Sequence, residues 1–128
     1  MNCKKDAVAE LRRYKARKMS VGSINAQLAV LADRIGLQDG TGEDCAERRA
    51  LLEKQLKWVT LWLRTVERAL GALDERERTV LWKFYVDRRE DYMDDLCETL
   101  FLEQSAVYRL KDRALGKYVL EMYGGEAM

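Results

Sequence analysis

Apolar residues recur along this chain at alternating steps of four and three, the spacing of a stripe on an α-helix. Over residues 6–35 the stripe passes through Tyr14, Val21, Ile24, Leu28, Leu31 and Ile35 and predicts one long helix. Gly22 and Ser23 interrupt it and are expected to bend the helix. The stretch "GLQDGTGED" (36–44) holds three of the eight glycines and predicts a loop, with Gly36 just past the helix end. A second long helix is expected over 43–72. Its residues Leu52, Leu56, Val59, Leu63, Val66, Leu70 and Leu73 are spaced 4-3-4-3-4-3, a heptad seam. Leu51, Trp58, Trp62 and Ala69 widen the seam on one side. For the Trp58 and Trp62 pair, core packing is the expectation and an exposed partner surface the alternative. Two such helices joined by a short loop should pack antiparallel as a coiled-coil-like hairpin. So broad an apolar face calls for a further partner, either the C-terminal part or a second copy of the chain.

After Gly71 the elements shorten. Asp74 is a candidate N-cap, and Glu77 three residues later completes a variant of the capping box. A third helix follows to about residue 86, with Val80, Leu81, Phe84 and Tyr85 inward. "DRRED" is a charged turn. Asp91 is expected to cap a fourth helix. Asp94 and Asp95 lie in its first turn, where the helix dipole favours negative charge, and Met93, Leu96, Cys97 and Leu100 point inward. A bend at "FLE" leads to a fifth helix over 104–122 with Val107, Leu110, Ala114, Leu115 and Tyr118 inward. The expected fold is all-α: a helical hairpin over 1–72 (loop about 36–44), a three-helix module over 73–123 and a disordered tail over 124–128. The absence of proline fits long helices.

Composition narrows the chemistry. The chain has no histidine, so Ser-His and Cys-His nucleophiles and most metal sites are excluded. Cys3, Cys45 and Cys97 are odd in number and far apart, which predicts reduced thiols, with Cys97 a small packing residue. No phosphate-cradling glycine loop is present. No catalytic residue, metal or cofactor is expected, and the protein is expected not to be an enzyme. No apolar run approaches the roughly 20 residues of a membrane span, and the N-terminus has no secretory pattern, so no membrane contact and a cytoplasmic location are expected. Lys and Arg number 23 against 22 Asp and Glu, a net charge of +1. That charge is unevenly spread: residues 1–20 carry seven Lys/Arg against Asp6 and Glu10, while 74–100 carry five against nine acids. The run "RRYKARK" (Arg12 to Lys18) is either a solvated helix face or a second phosphate-binding arm.

The fourth and fifth helices carry the spacing of a helix-turn-helix. It needs a small residue where the helices touch, a bend residue four later and an aliphatic residue six beyond that; Cys97, Phe101 and Val107 stand there. Around them, "L-x-x-R-E-R-x-V-L" (Leu73, Arg76, Glu77, Arg78, Val80, Leu81), the aromatic Tyr85 and "S-x-V-x-R-L-x-x-R-A-L" (Ser105, Val107, Arg109, Leu110, Arg113, Ala114, Leu115) resemble region four of sigma-70 family factors. The resemblance covers about 45 residues. The layout of hairpin plus module is similar to small phage and prophage proteins, including late-transcription regulators of the ArpU/RinA type. Three departures stand out. The loop after Tyr85 looks about two residues longer than the common form, Phe101 replaces the bend glycine, and Glu103 replaces the usual Ser/Thr cap. A bulky aromatic at a left-handed bend is strained, so the turn is expected to open slightly.

The resemblance implies a sequence-specific DNA-binding transcriptional regulator, phage or prophage encoded. No segment of the chain resembles the sigma regions that grip core polymerase or melt the promoter, so an activator or sigma-like adaptor is expected rather than a complete sigma factor. Carried over by position, Gln104, Ser105, Tyr108 and Arg109 would face DNA bases. Helical geometry agrees, since Val107 and Leu110 inward put those four on one outward arc. Lys111, Arg113 and Lys117 are the candidate phosphate contacts. The implied partners are double-stranded DNA and RNA polymerase. The heptad seam offers a homodimer surface, unless the hairpin consumes it and leaves a monomer. Two alternatives remain: a protein-only adaptor for RNA polymerase, and a DNA-packaging subunit of the small-terminase kind.

Overall fold

A computed structural model describes residues 2–36 and 42–124. Among the described residues there are five α-helices and no strand: α1 (Cys3–Gly36), α2 (Gly42–Gly71), α3 (Glu75–Leu81) continued by a π-helical turn (Trp82–Val86), α4 (Tyr92–Leu100) and α5 (Gln104–Tyr123). The all-α expectation holds. Helix α1 starts three residues before the expected Asp6, because Asn2 caps it: its Oδ1 accepts from the Lys5 N–H at 3.1 Å. It continues as helix through Gly22 and Ser23. Of the loop expected over 36–44, Gly36 and residues 42–44 are helical, and 37–41 lie outside the described residues. The tail expected over 124–128 also lies outside them, except Gly124. Among the described residues no helix is long and apolar enough to cross a membrane.

The chain forms two compact units, Ala16–Arg64 and the pair of segments Met1–Lys15 and Thr65–Met128. In Ala16–Arg64, Ile24 and Leu31 of α1 cluster with Cys45 and Leu52 of α2, flanked by Leu28 and Leu56. Arg48 donates to Gln27 at 3.3 Å, and Arg17 lies over the rings of Trp58 and Trp62 at 4.9 and 4.2 Å. Early α1 therefore meets late α2, and the helices run antiparallel as the expected hairpin. Along the seam of α2, Leu52, Val59, Leu63, Val66, Leu70 and Leu73 are buried. The core packing expected of the tryptophan pair does not hold for Trp58, which is 55% exposed, and Leu51 is 54% exposed; Trp62 is half-buried. Leu51 and Trp58 sit one residue before Leu52 and Val59, about 100° around the helix. Beside Trp58, α1 supplies the Arg17 guanidinium rather than an apolar side chain.

In the other unit the core gathers all five helices. Ala7 and Leu11 of α1, Val66 and Ala69 of α2, Val80 and Leu81 of α3, Leu96 of α4, and Val107, Ala114, Tyr118 and Val119 of α5 are essentially sealed from solvent. A Leu or Val buried this way contributes about 1.5–3 kcal/mol relative to an exposed one. The first turns of α1 are part of this core. Tyr14 packs edge-on against Trp82, with ring centroids 5.3 Å apart. Arg12 lies 5.9 Å from the Tyr85 ring centre, and Lys15 pairs with Asp87. The basic run is largely a solvated face, with Arg12, Arg13, Lys15 and Lys18 exposed, while Arg12, Lys15 and Arg17 also contact groups of their own chain.

Residues 76–78 close three helix ends. Asp74 caps α3 by accepting the Glu77 N–H at 2.8 Å, and Glu77 Oε1 accepts the Asp74 N–H at 3.1 Å. This is the expected capping box. Arg76 donates to the Leu100 carbonyl at the end of α4 at 3.1 Å. Arg78 donates to the Leu73 carbonyl just beyond α2 at 2.8 Å. Beyond α3 the ladder widens: the Asp87 N–H bonds to the Trp82 carbonyl at 2.8 Å, five residues back. The extra residue in this turn lets Trp82 meet Tyr14 while buried Phe84 contacts Tyr92 of α4 and Tyr108 of α5, at 5.2 and 5.9 Å. Tyr85, expected inward, is half-buried.

Helix α4 is not capped by the Asp91 side chain, which makes no capping bond; only its carbonyl serves, accepting the Asp95 N–H at 2.9 Å. Asp94 and Asp95 do occupy the first turn, and Asp95 bonds to the Lys83 ammonium at 2.7 Å. The bend does not open. Phe101 adopts the left-handed conformation itself, with φ 55° and ψ 44°. The Leu102 N–H closes on the Cys97 carbonyl at 3.1 Å, the six-residue closure of a Schellman end. The Phe101 ring is 92% exposed, so nothing packs against it to oppose that backbone.

Replacing Phe101 by glycine is expected to stabilise the protein by about 0.5–1 kcal/mol, because glycine holds a left-handed φ without steric cost. Phe101→Val should destabilise it, and urea unfolding checks both signs. A second expectation concerns acid. The Glu77 N–H, the Lys15 ammonium and the Lys83 ammonium bond to the carboxylates of Asp74, Asp87 and Asp95 and hold them below the ordinary carboxylate range. Depressed carboxyls add stability that is present above about pH 4 and lost as pH falls through the depressed values. Thermal unfolding should therefore shift down as pH falls below about 4. Lys83→Met should flatten the share owed to Asp95, and an unchanged profile in that variant would count against the assignment.

Candidate nucleic-acid interface

Helix α5 leaves the bend at Glu103, whose backbone is extended (φ −77°, ψ 165°) and whose carboxylate makes no capping bond to the helix. The Glu103 carbonyl accepts the Val107 N–H at 3.0 Å, and its carboxylate accepts from Ser105 Oγ at 3.3 Å. The phase of the helix is then set by what it buries. Val107, Leu110, Ala114, Leu115, Tyr118 and Val119 face the core. Gln104, Ser105, Tyr108 and Arg109 are all exposed and share the opposite arc, with Asp112 and Arg113 on the next turn. The four candidate base contacts thus lie on one surface. Tyr108 is partly held, its ring edge-on to Phe84 and 42% of the residue exposed.

The three candidate phosphate contacts are placed differently. Arg113 is exposed, and neither it nor Arg109 makes a hydrogen bond or ion pair among the described residues. Lys111 is half-buried: its ammonium bonds to Asp112 at 2.7 Å and lies 5.6 Å from the Phe84 ring centre. Burial alone would lower that ammonium's pKa, but Asp112, Tyr85 and Tyr108 outweigh it and hold the pKa above the usual lysine value. Lys117 is bonded at 2.7 Å to Glu77, whose side chain is only 4% exposed. Its first role in the fold is to neutralise that carboxylate.

Beside the exposed arc lies an open cleft of about 820 Å³, lined by Arg76, Arg109 and Arg113, with Asp74, Asp112 and Leu102 also on its wall. Arg76 belongs to the "R-E-R" motif but was not a candidate contact from the sequence. Its place beside α5 depends on its bond to the end of α4, which no spacing rule signals. Three guanidiniums around one concavity suit phosphate oxygens, which arginine binds in pairs. The two aspartates keep the surface mixed in sign. Comparison with protein-family models, with curated proteins and with solved structures finds no match to this chain.

Removing the Lys117 amine should cost stability. Lys117→Met leaves the buried Glu77 carboxylate with one bond fewer, a loss of about 1–3 kcal/mol, toward the lower end because the lysine is itself half in solvent. Adding Glu77→Gln should recover part of that loss. Chemical denaturation of the two variants tests the coupling, and equal losses in both would show that the pair does not matter.

Proposed function

We propose that this protein is a sequence-specific DNA-binding regulator of transcription, acting as an activator or sigma-like adaptor of the phage type. The observation that carries the reading is the uncommitted pair Arg109 and Arg113 on an exposed arc that also holds Gln104, Ser105 and Tyr108. Nearby Lys111 and Lys117 are tied to carboxylates. Gln104 can pair with adenine and Arg109 with guanine in the major groove, each worth about 1–3 kcal/mol of discrimination. Arg113 and Arg76 are suited to phosphates, which set register rather than sequence. The near-neutral total charge fits a reader that depends on a few placed contacts rather than a broad basic surface. One observation favours the protein-only adaptor instead: Asp74 and Asp112 share the cleft with the arginines, as suits a partner surface of mixed charge.

Selection from random duplex DNA at low salt should enrich a short motif. Arg109→Ala should relax the choice at one position of that motif. Arg113→Ala should weaken all sequences alike and reduce the slope of log affinity against log salt by about one. If selection enriches nothing, the DNA reading fails and binding to RNA polymerase becomes the reading to pursue.

A further inference from the structure

The hairpin unit carries a surface that the DNA reading does not use. Between α1 and α2 lies an open groove of about 650 Å³, with Ile24 and Val59 at its base and the exposed Leu51 and Trp58 along one wall. Ser23 and Gln27 also line a second concavity of about 390 Å³, which extends past Val30 and Leu31 to Arg34 and Arg48. The apolar strip along the groove is therefore flanked by cations: Lys54 at the Trp58 end and Arg34 and Arg48 at the other. Arg34 and Lys54 make no hydrogen bond or ion pair among the described residues, and Arg48 bonds only to the neutral Gln27. Among the described residues no Asp or Glu lines either concavity. Of the described acids close by in sequence, Glu53 is already paired with Arg49, and Asp33, Asp44 and Glu47 are exposed but stand on neither wall.

We propose that this groove receives an amphipathic helix of a partner protein with an acidic polar face. Three features select that occupant. The exposed indole and leucine would anchor apolar side chains set at helical spacing. Among the described residues the charged groups lining the groove are all cations, so carboxylates toward either end of the apolar stripe would meet Lys54, or Arg34 and Arg48. The stretch of α1 from Ser20 to Arg34 spans about 21 Å at ~1.5 Å per residue, room for a helix of three to four turns. A second copy of the chain suits the groove poorly. Two-fold pairing of this face would set the cations of one copy, Arg34, Arg48 and Lys54, against those of the other, like charge against like. A bare phosphate chain would satisfy the cations but leave Leu51 and Trp58 in water.

The test uses the full-length protein and two labelled peptides of about 16 residues, four helical turns. Both carry leucines at helical spacing; one has glutamates on the polar face and the other lysines. Fluorescence anisotropy should show the glutamate peptide saturating the protein and weakening as salt rises. Trp58→Ser should reduce its affinity about tenfold or more, the usual loss at an aromatic anchor. Arg48→Glu combined with Lys54→Glu should lose the glutamate peptide and gain the lysine one. Both substitutions are at exposed positions, and circular dichroism melts will show the fold intact. Equal binding of both peptides, binding of neither, or an unchanged preference in the charge-swapped variant would overturn the proposal. So would a dimer in sedimentation that Trp58→Ser dissociates, because a second copy would then cover the groove. None of these readouts involves DNA, so the outcome stands apart from the fate of the regulator reading.

Discussion

Glu77 carries its carboxylate to a place where 3% of the residue meets solvent, and two partners make that tolerable. The Asp74 N–H bonds to one oxygen and the Lys117 ammonium to the other. An unpaired buried carboxylate would cost several kcal/mol, so the start of α3 and the middle of α5 are held in one register. That register fixes the rotation of α5. With Lys117 turned to Glu77 and Val107 and Leu110 turned to the core, Gln104, Ser105 and Arg109 face solvent and Tyr108 does so in part, beside Phe84. On either side of Glu77, Arg76 and Arg78 bond to carbonyls near the ends of α4 and α2. Late carbonyls of a helix lack partners within it, and guanidiniums supply them here. Three consecutive charged residues thus tie together the ends of three helices. The run Arg76, Glu77 and Arg78 holds helices together, and Arg76 also lines the cleft beside α5.

Much of the fold was legible from the spacing of apolar residues. The seam from Leu52 to Leu73 is long and uniform, so its period shows through any local noise, and its residues are buried as expected except Leu56, which is half-buried. Cys3, Ala7 and Leu11 were not legible. They are few, two of them are small, and they lie among charges, so their helical spacing does not stand out. The π-turn was hidden for a different reason, since a single wide turn shifts the period by one residue and resembles an irregular helix end. Trp58 misled because size and aromaticity argue for burial, whereas its exposure depends on whether the facing helix offers apolar atoms; α1 offers Arg17.

The candidate site divides along the same line. Which residues face outward on α5 follows from local periodicity, so Gln104, Ser105, Tyr108 and Arg109 could be grouped without coordinates. Which cations remain uncommitted depends on partners distant in sequence. Lys117 and Glu77 are on different helices, and no pattern within either helix announces their bond. Phe101 lies between the two cases. Its position at the bend was readable, but its response was not. A left-handed residue costs about 1–2 kcal/mol, and that cost is borne because the Leu102 N–H reaches the Cys97 carbonyl and Leu100 stays buried.

Net charge near zero conceals a sorting of cations by what surrounds them. Lys15, Lys83, Lys111 and Lys117 each sit against a carboxylate, and in every case that bond fixes a helix or a side chain of the same chain. Among the described residues the guanidiniums of Arg109 and Arg113 have no such partner, and they stand among polar, hydrogen-bonding neighbours. In the hairpin, Arg34 and Lys54 also lack carboxylate partners among the described residues but border leucine and tryptophan. Charge of one sign therefore serves two chemistries. Beside Gln104, Ser105 and Tyr108 it suits an anion that also offers hydrogen-bonding edges, as a nucleic acid does. Beside Leu51 and Trp58 it suits an anion carried on an apolar surface, as an acidic amphipathic helix provides. The neighbours of each cation, more than its charge, decide which ligand it can hold.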